Sequence, residues 1–346
     1  MQTTATRRLR PDRMTGEGPR RLVRWLSIAA TFGMFVVLVM GATVTSTGSA
    51  EGCGKSWPLC QGAFIPEFAV ATLIEWSHRA VTGVEGILIV GLAIGAWAFW
   101  RQYREIKILV PVMLAFLFAQ AGLGAWAVMS PQTPLVLATH FGISLVALAS
   151  VALTMIFIHG AEGAETLRDR PVPSGFRRLV WGSIAYIYVV VYLGAYMRHT
   201  KTSLACFDWP LCNGYVVPGF IGPAGIAFAH RIAALVAAFL VLGLFLWAGR
   251  LRTSRPDLYW GSLVALGLIL LQSVSGAIIV FTRLSLFSSL GHAAVMSLLF
   301  VSLSYLCLHV LPRPRADSAQ HSWRTPSEQT PRAYGHVSTP SGRRSG

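Results

Sequence analysis

Long runs of apolar residues recur along the chain, and several exceed the roughly 18 residues that indicate a membrane-spanning helix. Hydrophobic residues make up 54% of the 346 residues and charged residues only 12%, which argues against any large soluble domain. The sequence therefore predicts an all-α polytopic membrane protein. Eight transmembrane helices are predicted, at residues 24–44, 73–100, 107–129, 134–158, 178–197, 223–248, 258–281 and 286–311.

The distribution of basic residues predicts how these helices are oriented. Of the 29 Lys and Arg residues, 23 lie in the two tails and in the loops on the same side of the membrane as the tails. Four lie on the opposite side, and Arg79 and Arg231 lie within predicted spans. By the positive-inside rule both termini are cytoplasmic. The net charge of +15 thus orients the chain and does not indicate a nucleic-acid partner.

An internal repeat relates the two halves of the chain. A constant shift of 152 residues places Trp57–Gly62 on Trp209–Gly214, and it also places Gln120 on Gln272. Since the shift spans an even number of helices, the halves share one orientation, which predicts two pseudo-symmetric four-helix bundles. The predicted organisation is a basic cytoplasmic tail (1–23), an N-terminal bundle (24–160), a cytoplasmic linker (161–177), a C-terminal bundle (178–311) and a disordered cytoplasmic tail (312–346).

Four histidines occupy duplicated positions inside the predicted spans. His78 and His140 each lie about six residues from the outer end of their helix, and the repeat places His230 and His292 at the same depth. Ionisable residues within a membrane are costly and usually functional. Two imidazoles at equal depth on alternate helices of a bundle can bind one haem iron from opposite sides.

Two alternatives to haem remain for these histidines. They could be isolated core residues bonded to backbone carbonyls, or zinc ligands. A closed zinc site needs about four ligands, whereas each half offers a histidine pair with at most one carboxylate. Haem is therefore the preferred ligand. Arg79 and Arg231, each next to a histidine, are predicted to bind haem propionates, the alternative being that they extend to the membrane surface.

The two halves differ at one chemically important position. Glu75 lies one helical turn before His78, on the same face, whereas the equivalent residue of the second half is Ala227. A carboxylate inside the membrane is unfavourable, so its presence beside a haem ligand indicates proton or charge chemistry in the first half. The alternative is a glutamate at the helix entrance that reaches water.

Four of the five cysteines fall in two outer loops. Cys53 and Cys60 share the first of these loops, and Cys206 and Cys212 share the third. Both pairs face the oxidising side, where disulfides persist. Each predicted disulfide would close a short loop above a haem site, and both a structural and a redox role remain open.

Several of these motifs together resemble the haem A synthase family, in its bacterial cysteine-containing form. They are the helix segment Glu75–Gly83, the loop Gly52–Cys60 and the three further histidines, and the resemblance extends over about residues 22–311. It implies a bacterial plasma-membrane enzyme that oxidises the C8 methyl group of haem O to a formyl group, giving haem A for terminal oxidases.

The resemblance also implies roles for individual residues and partners. His78 and His140 would flank the substrate haem with Glu75 as the catalytic carboxylate, whereas His230 and His292 would ligate a resident haem b. It is compatible with association with the haem O synthase, with an electron-acceptor partner and with a homo-oligomer, and it gives no indication of nucleic acid.

Three other functions are consistent with parts of the pattern. The leading one is a di-haem b-type electron-transfer cytochrome, which bis-histidine ligation alone does not exclude. A haem transporter and a thiol–disulfide oxidoreductase are the others. The presence of Glu75 in one half only favours an enzyme that acts on one of two haems.

Overall fold

A computed structural model describes residues 17–67, 69–130, 132–168 and 170–311 of the chain. This part of the chain forms eight α-helices, and each is long and apolar enough to cross a membrane, which confirms the predicted fold class. The helices are α1 (Glu17–Thr47), α2 (Val70–Trp100), α3 (Arg104–Met129), α4 (Pro134–Arg168), α5 (Ser174–His199), α6 (Gly222–Gly249), α7 (Pro256–Phe281) and α8 (Leu286–His309).

Most helices extend beyond the apolar segments that predicted them. Helix α1 begins at Glu17, within the predicted basic tail. Helix α4 continues to Arg168 and α5 begins at Ser174, so both ends of the predicted linker are helical. Hydropathy detects only the apolar part of a helix, whereas backbone hydrogen bonding continues into its polar ends. The predicted tail 312–346 and residues 1–16 lie outside the described residues.

Helices α1–α4 pack chiefly with one another, and so do α5–α8, so we describe them as two groups, while the bounds of the two predicted bundles stay a prediction. We call the end of the helices that carries the α1–α2 and α5–α6 loops the disulfide end. Buried apolar residues fill the part of each group that is farther from this end. They include Met34, Ile89, Met113 and Leu145 in the first group and Val180, Val241, Leu258 and Leu303 in the second.

The two groups contact one another through α1, α4, α5 and α8. Gly142 of α4 permits the closest approach, because a Cβ atom there would lie 2.6 Å from Cζ of Tyr192 on α5. The Tyr192 hydroxyl lies 3.1 Å from that of Tyr188, whose ring packs against Phe300 of α8. Tyr192 therefore joins the first group, through Gly142, to an aromatic cluster of the second group.

Candidate functional site

The structure brings the four repeated histidines together in two pairs. His78 on α2 and His140 on α4 lie close enough to interact electrostatically, and the same holds for His230 on α6 and His292 on α8. Each pair lies between the apolar core and the disulfide end of its group. The pairing agrees with the positions that the repeat relates, and the binding of haem by these pairs stays a prediction.

A glycine on the preceding helix lies against each of the four imidazoles. Built on these glycines, a Cβ atom would lie between 2.8 and 3.5 Å from Cε1 of the histidine ring. Only the shortest of these distances, at Gly194, would force the ring to shift, and the other three are ordinary contacts. The repeat aligned these glycines in the sequence, yet nothing in it indicated contact with histidine. The pairs are Gly41 with His78, Gly124 with His140, Gly194 with His230, and Gly276 with His292.

The ring nitrogens of these histidines are poorly satisfied within the protein. The Nδ1 atoms of His78, His140 and His230 are buried and have no hydrogen-bond partner. Buried polar atoms normally have partners, so a bound group is the expected source of the missing interactions. Paired imidazoles with open ring nitrogens fit the axial ligands of a haem iron. Among the described residues, no group of three or more His, Cys, Asp and Glu side chains could hold a metal ion.

His292 differs from the other three because its ring is hydrogen-bonded on both sides. Gln272 Nε2 lies 3.0 Å from His292 Nε2, and the Ser275 hydroxyl lies 2.8 Å from Nδ1. The equivalent glutamine of the first group, Gln120, instead donates to Sδ of Met34 at 3.8 Å. The two histidine sites are therefore similar in plan and different in their polar surroundings.

Glu75 is buried, with 3% of its surface exposed, and both carboxylate oxygens have partners. Oε1 accepts a hydrogen bond of 2.5 Å from the Arg79 guanidinium, and Oε2 accepts one of 2.8 Å from the backbone N–H of Cys53. The side chain therefore does not extend to the aqueous surface. It is fixed between the helix that carries His78 and the disulfide loop.

Arg79 and Arg231 both hold the loop above their own histidine pair. Arg79 Nη1 donates to the carbonyls of Ser56 and Leu59, at 2.7 and 2.8 Å. Arg231 donates to the carbonyls of Leu211 and Cys206. The second nitrogen, Nη2, thus bonds Glu75 in the first half and a loop carbonyl in the second. Propionate binding by these arginines stays a prediction.

The cysteines form the two predicted disulfides, Cys53–Cys60 and Cys206–Cys212. All four side chains are buried, and each bridge closes the loop that the adjacent arginine binds. In the second loop the N–H groups of Gly214 and Asn213 donate to the Asp208 carboxylate. The bond from Gly214 is the main cause of the lowered pKa of this carboxyl. Each loop is therefore a compact, internally bonded cover at the disulfide end.

Glu85 is a buried carboxylate that sequence inspection missed. It lies on α2 with 3% of its surface exposed, and its Oε1 has no hydrogen-bond partner. Only glycine fits at position 33 of α1, since a Cβ atom there would overlap the Glu85 carboxyl. The shift of 152 places Ala237 at the equivalent position, so the same comparison that singled out Glu75 could have found Glu85.

Comparison with known proteins identifies close relatives over most of the chain. A family model described as cytochrome oxidase assembly protein, COX15-CtaA, matches residues 24–304. The haem A synthase of Symbiobacterium thermophilum is 40% identical over 296 residues, covering 84% of this chain and 96% of that protein. That of Bacillus pumilus is 42% identical over 290 residues, with 83% and 94% covered. That of Geobacillus kaustophilus is 40% identical over 306 residues, with 88% and 96% covered.

Proposed function

The chain belongs to the COX15-CtaA family of cytochrome oxidase assembly proteins, and we propose that it is a haem A synthase whose first bundle holds the substrate. In this function it is a multi-pass membrane oxidoreductase that converts haem O to haem A. The observation that carries the assignment of the first bundle is Glu75, which is buried beside His78 and has no counterpart beside His230.

In the first bundle, His78 and His140 hold the haem O substrate through their ring nitrogens. The conversion of a methyl into a formyl group removes electrons and protons in successive steps. Glu75 is placed to accept a proton or to orient water there, since a carboxylate fixed by two hydrogen bonds needs little reorganisation during reaction. Arg79 balances its charge and keeps the loop closed over the site, which excludes bulk water.

In the second bundle, His230 and His292 are suited to hold a resident haem b. The unpartnered Nδ1 of His230 and the glycines against both rings support this assignment. When bound, haem b supplies one-electron redox chemistry. The Ser275 hydroxyl at Nδ1 fixes the orientation of the His292 ring, as hydrogen bonds to a ligating histidine commonly do, whereas Gln272 occupies Nε2. For Nε2 to bind iron, the Gln272 amide must move aside.

We further propose that the protein lies in a bacterial plasma membrane with both termini cytoplasmic. The excess of Lys and Arg on one side of the predicted spans supports this orientation. The disulfide end then faces the oxidising compartment, where both bridges are stable. An electron acceptor and the haem O synthase are the expected partners, because one removes the electrons and the other supplies the substrate.

Extraction of haem from cells tests the proposed function directly. Expression of the chain in a bacterium that makes haem O and lacks haem A should produce haem A, detected by chromatography and by the mass of its formyl group. Expression of the haem O synthase alone is the control. If only unchanged haem b accompanies the purified protein and no haem A forms, the chain is an electron-transfer cytochrome instead.

A substitution at Gly194 tests the contact between glycine and histidine. Gly194→Ala should lower the affinity of the second bundle for haem b by about tenfold, because overpacking costs about 1–3 kcal/mol and the new Cβ atom would lie 2.8 Å from the His230 ring. The measurement is haem b retained per protein after purification. Gly182→Ala, on the same helix with open space around it, is the matched control and should retain haem b fully.

A further inference from the structure

Glu85 lies on α2 below the first histidine pair, farther from the disulfide end than His78. The side of α2 that faces the other helices carries Glu75, His78, Thr82, Glu85 and Ile89, spaced three or four residues apart. Glu85 follows His78 by seven residues, which is about 10 Å along the helix axis at about 1.5 Å per residue. Ile89 is fully buried and begins the apolar core. Glu85 is therefore the last polar group on this stripe before the core.

The Glu85 carboxyl lacks the partners that Glu75 has. Its Oε1 atom is buried without a hydrogen bond, and its other oxygen lies against the backbone at Gly33. A buried carboxyl without a partner costs several kcal/mol, so a group that binds nearby is the expected source of a hydrogen bond. Because no side chain of the described residues supplies it, a ligand hydroxyl or amide is the suitable partner.

The second bundle has no such group at the equivalent position, where Ala237 is buried. Haem O and haem b likewise differ by a polar group against an apolar one at a single position. Haem O carries a hydroxyethyl-farnesyl group where haem b carries an apolar vinyl group, on the edge of the porphyrin opposite the two propionates. A carboxyl suits the edge of haem O that carries the hydroxyl, and an alanine suits the apolar vinyl edge of haem b. If the propionates lie toward Arg79, as the sequence predicts, this edge would lie on the side of Glu85.

We propose that Glu85 accepts a hydrogen bond from the hydroxyl of the hydroxyethyl-farnesyl group and thereby selects haem O over haem b in the first bundle. The inference rests on the proposed function, and it assigns substrate selection to a residue distinct from Glu75. A site that hydrogen-bonds a substrate hydroxyl discriminates strongly against an analogue without it, because the protein group is then left unpaired. Ala237 imposes no such requirement on the second bundle.

A competition experiment with three full-length proteins tests this role. Wild type, Glu85→Leu and Glu85→Gln, each retaining the haem of its second bundle, are incubated with an equimolar mixture of haem O and isotopically labelled haem b. The haem taken up is then extracted and quantified by mass. Haem A is counted with haem O, since it retains the hydroxyl. The farnesyl group contributes equally in all three proteins, so it cancels when their ratios of haem O to labelled haem b are compared.

Glu85→Leu should lower the uptake ratio by about tenfold, the factor that corresponds to the loss of one hydrogen bond. Glu85→Gln keeps an acceptor at the same position and should stay within about twofold of wild type. The Soret absorbance of the second-bundle haem reports folding in each variant. An unchanged ratio in Glu85→Leu, or a wild-type ratio near one, overturns the proposal. Haem A formation by wild type is scored separately, so failure of the proposed function is recognised independently.

Discussion

Replacement of Glu75 by glutamine is expected to reduce haem A formation by at least about 100-fold while haem remains bound. Loss of a group that transfers protons in a reaction typically costs about 10²–10⁴ in rate. Glutamine has nearly the same shape, and its side-chain oxygen can still accept the hydrogen bond from the Cys53 N–H. His78 and His140 are unchanged, so haem O should still bind. The measurement is haem A formed per protein together with the haem content of the purified variant.

Glu51→Gln is the matched control for this substitution. Glu51 lies in the α1–α2 loop, which also contains Cys53, and its side chain is exposed, so removal of its charge should leave haem A formation unchanged. Arg79 loses its ionic partner in Glu75→Gln, and loosening of the loop is therefore an alternative cause of lost activity. Arg79→Lys, which retains the charge but not the two carbonyl contacts, measures that effect. Normal haem A formation by Glu75→Gln would contradict the catalytic role.

Replacement of His230 by alanine should remove the resident haem from the second bundle and abolish turnover. In the proposed site the His230 imidazole is one of two histidine ligands, and alanine offers no atom that could replace it. The spectrum of the purified variant should lose the contribution of the resident haem b. Haem O bound in the first bundle should still be recovered by extraction, because His78 and His140 lie in a separate group of helices.

His159→Ala controls for a general effect of losing a histidine. His159 is exposed in the last third of α4, away from the disulfide end, and its Nδ1 atom lies 2.9 Å from the Met155 carbonyl oxygen. This variant should retain haem b and activity. Retention of a full complement of haem b by His230→Ala would contradict the assignment of the second bundle. Loss of haem O with retention of haem b would reverse the assignment of the two bundles.

The two histidine pairs could be predicted from sequence because the prediction depended on local and repeated features, while their role as haem ligands stays a prediction. Depth follows from the number of residues between a histidine and the start of its helix, and the repeat supplied an independent copy of the pattern. Pairing of the cysteines was predictable for a similar reason, since each pair is six or seven residues apart within one loop. Such short separations leave little freedom in how the two cysteines of a pair approach each other.

The surroundings of Glu75 were only partly predictable. Its position one turn before His78 followed from helix geometry, and the bond to Arg79 joins residues four apart on the same helix. The bond from the Cys53 N–H joins residues 22 apart, across a loop whose fold the sequence does not specify. The expectation of a carboxylate with proton chemistry thus came from the sequence, whereas its fixed orientation came from the structure.

The sequence by itself determined the eight spans, the two related halves and the depth of each histidine, because the length of apolar runs and helical rise fix these locally. Only the tertiary structure decided that glycines lie against the imidazoles, that Arg79 and Arg231 hold the loops, and that Glu85 is buried without a partner. These contacts depend on the rotation of each helix about its axis. In helices that are apolar on most sides, neighbouring helices set that rotation by close packing, and periodicity in the sequence does not.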